Sequence, residues 1–232
     1  MRRFSLAWFA LAALLALTAS ATAQSKSVKP GINDAYLSPE LDVQEWVDRF
    51  EGESREIFQH RHTIVAALGL EPGMEVADVG AGTGLFVPLL ASAVGSEGQV
   101  LALDISPVFV SHLRDRAAEA GLTHVSVVLA QQRSVTLAED SIDLAFVCDV
   151  YHHFEYPADS LASLRRALRP GGTLVVIEFE RIEGKTREFI FEHVRAGKEV
   201  FRQEILDAGF ELVREEDIEG LEENYVLRFQ SP

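Results

Sequence analysis

From residue 75 onward the chain alternates short apolar runs with longer segments whose apolar residues recur at helical spacing. The runs at 75–79, 100–104, 125–129, 142–147 and 173–179 predict strands, and the segments near 85–94, 107–120 and 158–168 predict helices. Strand and helix in strict alternation predict a parallel sheet covered on both faces. Residues 186–208 read as one or two helices, and strands are expected at 210–216 and 224–230. The connection between those last two strands is too short for a crossover helix, so they are expected to pair antiparallel. Ahead of the sheet, 41–50 and 55–68 carry apolar residues at helical spacing (Ile57, Phe58, Ile64, Val65, Leu68) and predict two helices over one end of it. Residues 24–39, broken by Pro30, Gly31 and Pro39, read as a flexible linker, which leaves 40–232 as one domain.

Residues 1–23 follow a different pattern. Arg2 and Arg3 precede an apolar run at 6–17, and small residues end at Ala21-Thr22-Ala23. That is the layout of a secretory signal peptide, and the run is short against the roughly 20 residues of a bilayer span. Cleavage after Ala23 and a periplasmic product without stable membrane insertion are expected; a retained leader gives an inner-membrane anchor instead. The chain has 21 basic and 36 acidic residues, a formal charge of −15. Such a surface repels phosphate backbones and argues against nucleic acid as a partner. The one cysteine, Cys148, lies beside the apolar run 144–147 and reads as a buried thiol.

The stretch with most chemical content is Val76-Ala77-Asp78-Val79-Gly80-Ala81-Gly82-Thr83-Gly84, a strand running into a glycine-rich turn that opens a helix. Glycines let the backbone bend sharply and let a ligand approach where a Cβ would collide. About 20 residues on, at the end of the next strand, Asp104 is placed to accept hydrogen bonds from ribose hydroxyls. Together they predict a cofactor that contains a nucleoside. A dinucleotide fingerprint spaces its glycines G-x-G-x-x-G, whereas Leu85 stands where the last of them belongs, so a pyrophosphate is the poorer match.

On these residues the chain resembles the class I S-adenosylmethionine-dependent methyltransferases, in particular the small-molecule group that includes enzymes acting on quinones. The resemblance covers about 61–229. It rests on Val76 to Gly84, on Leu103-Asp104-Ile105-Ser106 and on the Arg169-Pro170-Gly171-Gly172 turn before the fifth strand. It implies a Rossmann-like three-layer αβα sandwich with a seven-stranded, mostly parallel sheet whose last strand is antiparallel. It also implies S-adenosyl-L-methionine as cofactor. By that likeness Asp78, Gly80, Ala81, Gly82, Thr83 and Gly84 surround the methionine part, Asp104 holds the ribose and Ile105 packs on the adenine. Many relatives carry an acid after the third strand that bonds the adenine amino group; here Ala130-Gln131-Gln132 stands there, and the Gln131 carbonyl is an acceptor of the same kind.

The fourth strand ends Cys148-Asp149-Val150-Tyr151-His152-His153-Phe154, at the sheet edge where ligands bind in open α/β folds. Asp149 is assigned to the cofactor site, and no second acid beside it makes a metal site, so none is predicted. His152 and His153 are candidate bases for an acceptor that must lose a proton, with packing against the next helix as the alternative. Val150 and Tyr151 occupy the proline positions of the Asp-Pro-Pro-Tyr type of motif, which disfavours amide and adenine nitrogens as acceptors. The segment from Glu178 to Lys198, including Glu180, Arg181, His193 and Arg195, follows the fifth strand, where the family tends to shape the acceptor pocket; for charged residues on a predicted helix a solvated face is the simpler expectation. Methyl transfer to a small organic acceptor is the leading reading, and a non-catalytic metabolite-binding module on the same fold is its rival.

Overall fold

The computed structural model describes residues 24–52 and 55–232; the expected leader at 1–23 lies outside them. Seven strands form one sheet in the order β3-β2-β1-β4-β5-β7-β6. They are β1 (Glu75–Val79), β2 (Gln99–Asp104), β3 (Val125–Leu129), β4 (Ile142–Cys148), β5 (Leu168–Phe179), β6 (Glu211–Glu216) and β7 (Asn224–Gln230). β3, β2, β1, β4 and β5 run parallel, while β7 lies antiparallel between β5 and β6. This is the Rossmann-like three-layer architecture expected from the sequence.

The alternation along each strand explains the layers. In β5, Leu174 and Val176 face one cluster of buried side chains while Val175 and Ile177 face another, and β4 divides Ala145 and Val147 from Leu144 and Phe146 in the same way. A period of two with both sets apolar is what a strand buried on both faces requires. One layer is α7 (Pro157–Ala167), α8 (Glu188–His193) and α9 (Lys198–Asp207), which contribute Leu161, Leu164, Ile190, Phe201 and Ile205. The opposite layer holds α4 (Arg61–Ala67) and α5 (Val87–Val94), with α6 (Pro107–Glu119) beside them through Leu113. At the sheet edge β6 is largely exposed and carries Arg214, Glu215 and Glu216, charges that discourage pairing with another strand.

Three differences from the sequence reading have local causes. The helix expected at 55–68 is broken at His60, whose backbone leaves the helical region (φ −98°, ψ 12°), into α3 (Glu56–Gln59) and α4; the His60 ring lies against Gly220, where a Cβ would come within 2.1 Å of it. The Arg169-Pro170-Gly171-Gly172 turn is absorbed into β5 as a register shift between Ile142 and Leu144 on its neighbour. Residues 24–39, expected as a linker, are docked on the domain. Gln24 donates its main-chain N–H to Asp159 Oδ1 (2.9 Å), and the buried Asn33 side chain donates to the His153 carbonyl (3.0 Å) just ahead of α1 (Asp34–Leu37). α2 (Val43–Phe50) follows, its end fixed by Asp42 accepting from the Gln44 N–H. Among the described residues no helix is long and apolar enough to cross a membrane.

The turn after β1 depends on Gly80, which has φ +74° and whose place, filled by a Cβ, would lie 2.5 Å from Val150 Cγ1. Gly80→Ala is therefore expected to destabilise the protein by about 1–3 kcal/mol. Adding Val150→Ala should restore only the steric part, since the left-handed backbone cost remains; denaturant unfolding of the single and double variants measures both.

Candidate active site

The parallel strands bring four carboxyl-terminal tips together, and the site is built on them. After β1, Gly80, Gly82 and Gly84 all have φ between +54° and +87°, so the turn coils through conformations that a side chain resists. The Gly80 and Ala81 N–H groups both donate to the Leu103 carbonyl on β2 (2.8 Å each). The Gly82 N–H donates to Asp104 Oδ2 (2.9 Å), and Asp104 Oδ1 accepts from the Ser106 N–H (2.8 Å) at the start of α6. One carboxylate thus joins the glycine turn to the next strand and helix. On the outer side the Thr83 carbonyl accepts from Arg116 (2.7 Å), which also pairs with Glu51 at the end of α2 (2.5 Å).

These tips and the docked N-terminal segment enclose a cavity of about 340 Å³. Asp78, Gly80, Ala81, Gly82, Thr83, Asp104, Ile105, Gln131, Asp149, His152 and His153 all line it, so nearly every residue singled out from the sequence converges there. Gly84 is the departure. It turns away from the cavity, and a Cβ on it would meet Leu113 Cδ2 at 2.8 Å, so its smallness lets α6 close against the turn. Phe50 stands over Gly82, with ring carbons 3.8 Å from the position a Cβ would take. Asp149 faces the cavity with its carboxylate already engaged: it pairs with Arg55 and accepts from Asn224 Nδ2 (2.6 Å). Its backbone is left-handed, φ +53°.

The two ends of the cavity differ in chemistry. At one end Asp78 is buried and its Oδ2 has no hydrogen-bond partner. Burial, with the Asp104 charge nearby, pushes the Asp78 carboxyl up to about 7; burial also raises Asp104 to about 6 against the three backbone N–H groups that favour its charged form. At the other end stand His152, His153 and His193. His152 is buried; its ring Nδ1 donates to Glu178 (2.8 Å) and its main-chain N–H donates to the same carboxylate (3.0 Å). His153 and His193 approach each other through their Nε2 atoms at 3.3 Å. Burial lowers all three imidazoles below their ordinary range, so they are neutral at pH 7.

The segment after β5 is thus no solvated helix face. Glu178 is a fully buried strand residue, Arg195 forks onto Glu204 (2.8 and 2.6 Å), Arg181 donates to the Phe191 and Val194 carbonyls, and Glu180 pairs with Lys198 (2.9 Å). Asn33, Tyr36, Phe50 and Arg55 join the cavity wall with no sequence signal to announce them, because they come from segments that precede the sheet. Glu178 did carry a signal: a lone acid in the apolar run Val175-Val176-Ile177 needs a buried partner.

With this geometry in hand, residues 77–176 match the sequence profile of a family described as a methyltransferase domain. The chain is 32% identical over 133 residues to a ubiquinone/menaquinone biosynthesis C-methyltransferase of a Marinomonas species, an alignment covering 57% of this chain and 53% of the relative. The counterpart from Shewanella frigidimarina is 27% identical over 185 residues, covering 67% of this chain and 73% of the relative. The chain spans about half the length of the first curated relatives it matches. Among solved structures, an S-adenosylmethionine-dependent methyltransferase from Aquifex aeolicus is similar with a TM-score of 0.73 at 24% identity, covering 82% of this chain and 99% of that one.

The buried carboxyls set a pH dependence. Burial raises Asp149 and Glu178 along with Asp78 and Asp104. Near pH 7 the folded chain therefore holds protons that the unfolded chain has released, and stability falls as pH rises. The depressed histidines work in the opposite sense, but below their unfolded value of 6.5. From pH 6.5 to about 8 the ligand-free protein is expected to lose thermal stability, with a shallower slope in Asp78→Asn. Unfolding midpoints across that range check it.

Proposed function

From the methyltransferase-domain match at 77–176 and the glycine turn tied to Asp104, we propose that the chain is a class I S-adenosylmethionine-dependent methyltransferase, an enzyme that moves a methyl group from S-adenosyl-L-methionine to a small organic acceptor. The observation that carries this reading is the unpartnered, buried Asp78 oxygen beside a glycine turn tied to Asp104. A buried carboxyl without a partner calls for a cation, and the cofactor's ammonium is one. Asp104 keeps acceptor capacity beyond its bonds to Gly82 and Ser106, since each carboxylate oxygen accepts more than one hydrogen bond. Gly82 lines the cavity beneath the Phe50 ring, Ile105 supplies an apolar wall and Gln131, its backbone pinned to Ser134 (2.8 Å), offers an amide to the base. When bound, S-adenosylmethionine supplies a methyl group already activated on a positively charged sulfur.

The acceptor belongs at the histidine end, where Phe179 and Phe189 add aromatic wall to the imidazoles. Such a lining suits a flat ring bearing a hydroxyl. The names of the relatives, C-methyltransferases of ubiquinone and menaquinone biosynthesis, favour a ring carbon of a quinol-like compound as the methylated atom. The protein's contribution is then to hold the ring at attack distance and to ease loss of its proton. Export through residues 1–23 is part of the proposal. Cleavage after Ala23 would create an amino terminus at Gln24, whose nitrogen already lies 2.9 Å from Asp159 Oδ1; N-terminal sequencing of the periplasmic fraction tests it.

Two measurements test the reading. Titration with S-adenosylhomocysteine should show binding that Asp104→Ala weakens at least about tenfold, with Asp104→Asn in between because it keeps one acceptor oxygen. Incubation with cofactor carrying a labelled methyl group and quinol-like acceptors should transfer label. Binding without transfer to any acceptor favours the metabolite-binding module, and no binding removes the methyltransferase reading.

A further inference from the structure

The three histidines at the acceptor end have more in common than a wall. They come from two elements, the 3₁₀ turn Tyr151–His153 after β4 and the end of α8, yet one ring nitrogen of each lies within 4.8 Å of the others. The ring centroids are 4.2 to 5.1 Å apart. Imidazoles this crowded need a reason. They are short of partners: His153 Nδ1 is buried with none, and His153 and His193 turn Nε2 toward Nε2, where at most one of the two atoms donates.

We propose that His152, His153 and His193 hold one divalent transition-metal ion of the zinc class at the acceptor end of the cavity, with Glu178 fixing His152 from behind. The spacing fits. Nitrogens bound to zinc at about 2.1 Å in a tetrahedral arrangement stand about 3.4 Å from each other, and the His153–His193 separation is 3.3 Å. His152 is already held from behind, because Glu178 occupies its Nδ1 at 2.8 Å and leaves Nε2 as its unoccupied ring nitrogen, the carboxylate–histidine pairing that orients metal ligands. An all-imidazole set selects zinc, cobalt, nickel or copper over magnesium or calcium, which prefer oxygen. The Glu178 charge offsets part of the ion's charge. The nearest ammonium, Lys29, is turned onto the carbonyls of Glu192 and His193 (3.1 and 2.5 Å).

Three protein ligands with a fourth position open to a cavity is the pattern of metal sites that bind a reactant, as opposed to sealed structural sites. All three histidines line the cavity, so the open position is for an oxygen of the acceptor, and the ligand class is a phenol or enol that the ion holds as its anion. The proposal rests on the acceptor lying at this end. It replaces the role of His152 and His153 as free bases with that of ligands.

The test uses the full chain without a histidine tag, stripped with chelator and titrated with Co²⁺ and with Zn²⁺. One equivalent should bind, and the cobalt form should show the intense visible bands of a four-coordinate site. His193→Ala and His153→Ala should abolish those bands and weaken zinc binding at least about a hundredfold, and Glu178→Gln should weaken it about 10- to 100-fold. Thermal unfolding of each variant shows whether it is folded; His193, half-buried on a short helix, is the substitution the fold tolerates best. Absence of retained metal after desalting, or equal affinity in His193→Ala, overturns the proposal and returns the histidines to the role of bases. S-adenosylhomocysteine binding is measured alongside in metal-free protein: its loss refutes the cofactor reading and leaves the metal result standing.

Discussion

The Asp104 carboxylate is the constraint on which the site depends. Its two oxygens take N–H groups from Gly82 on one turn and Ser106 on the next, so a single side chain sets the distance between the tips of β1 and β2 and the start of α6. The parallel register from Glu75–Gln99 to Val79–Leu103 brings those tips level, and the glycine turn then has to bend back at once to reach the carboxylate. Three left-handed glycines make the bend, and two of them are also required by neighbours, Val150 at Gly80 and Leu113 at Gly84. Packing and ligand access are thus served by the same residues.

Around that frame the cavity is divided electrostatically. Buried carboxyls cluster at the β1–β2 end and find no cation among their own side chains at Asp78, whereas Asp149 is matched by Arg55 and Asn224. At the far end the imidazoles are neutral and are backed by Glu178. The cavity thus sets an unpaired buried carboxyl apart from a group of imidazoles backed by a second carboxyl.

The N-terminal region closes this arrangement. Asn33 ties the segment to the His153 carbonyl, Tyr36 packs at a tilt on Trp46 with ring centroids 4.7 Å apart, Trp46 meets Phe50, and Arg116 links Glu51 to the glycine turn. Residues that look like a polar approach to the domain become one wall of its cavity. Their pattern gives no hint of this because each contact is made to a different, distant part of the chain. Asn33 and His153 are 120 residues apart, and no periodicity encodes such a meeting.

The order of strands and helices, the burial of both sheet faces and the glycine turn with Asp104 were determined by the sequence itself, because each is a local matter: side-chain period, turn chemistry and spacing along one strand–turn–helix unit. The antiparallel β6–β7 pair was legible for the same reason, a connection too short to cross over. Tertiary structure decided what depends on distance in space. It broke the 55–68 helix where the His60 ring meets Gly220, turned Gly84 from ligand to packing, and buried Glu178 behind His152. It also brought His193 from α8 to His153, since the convergence of side chains from separate elements is fixed only when the sheet and both its layers have closed.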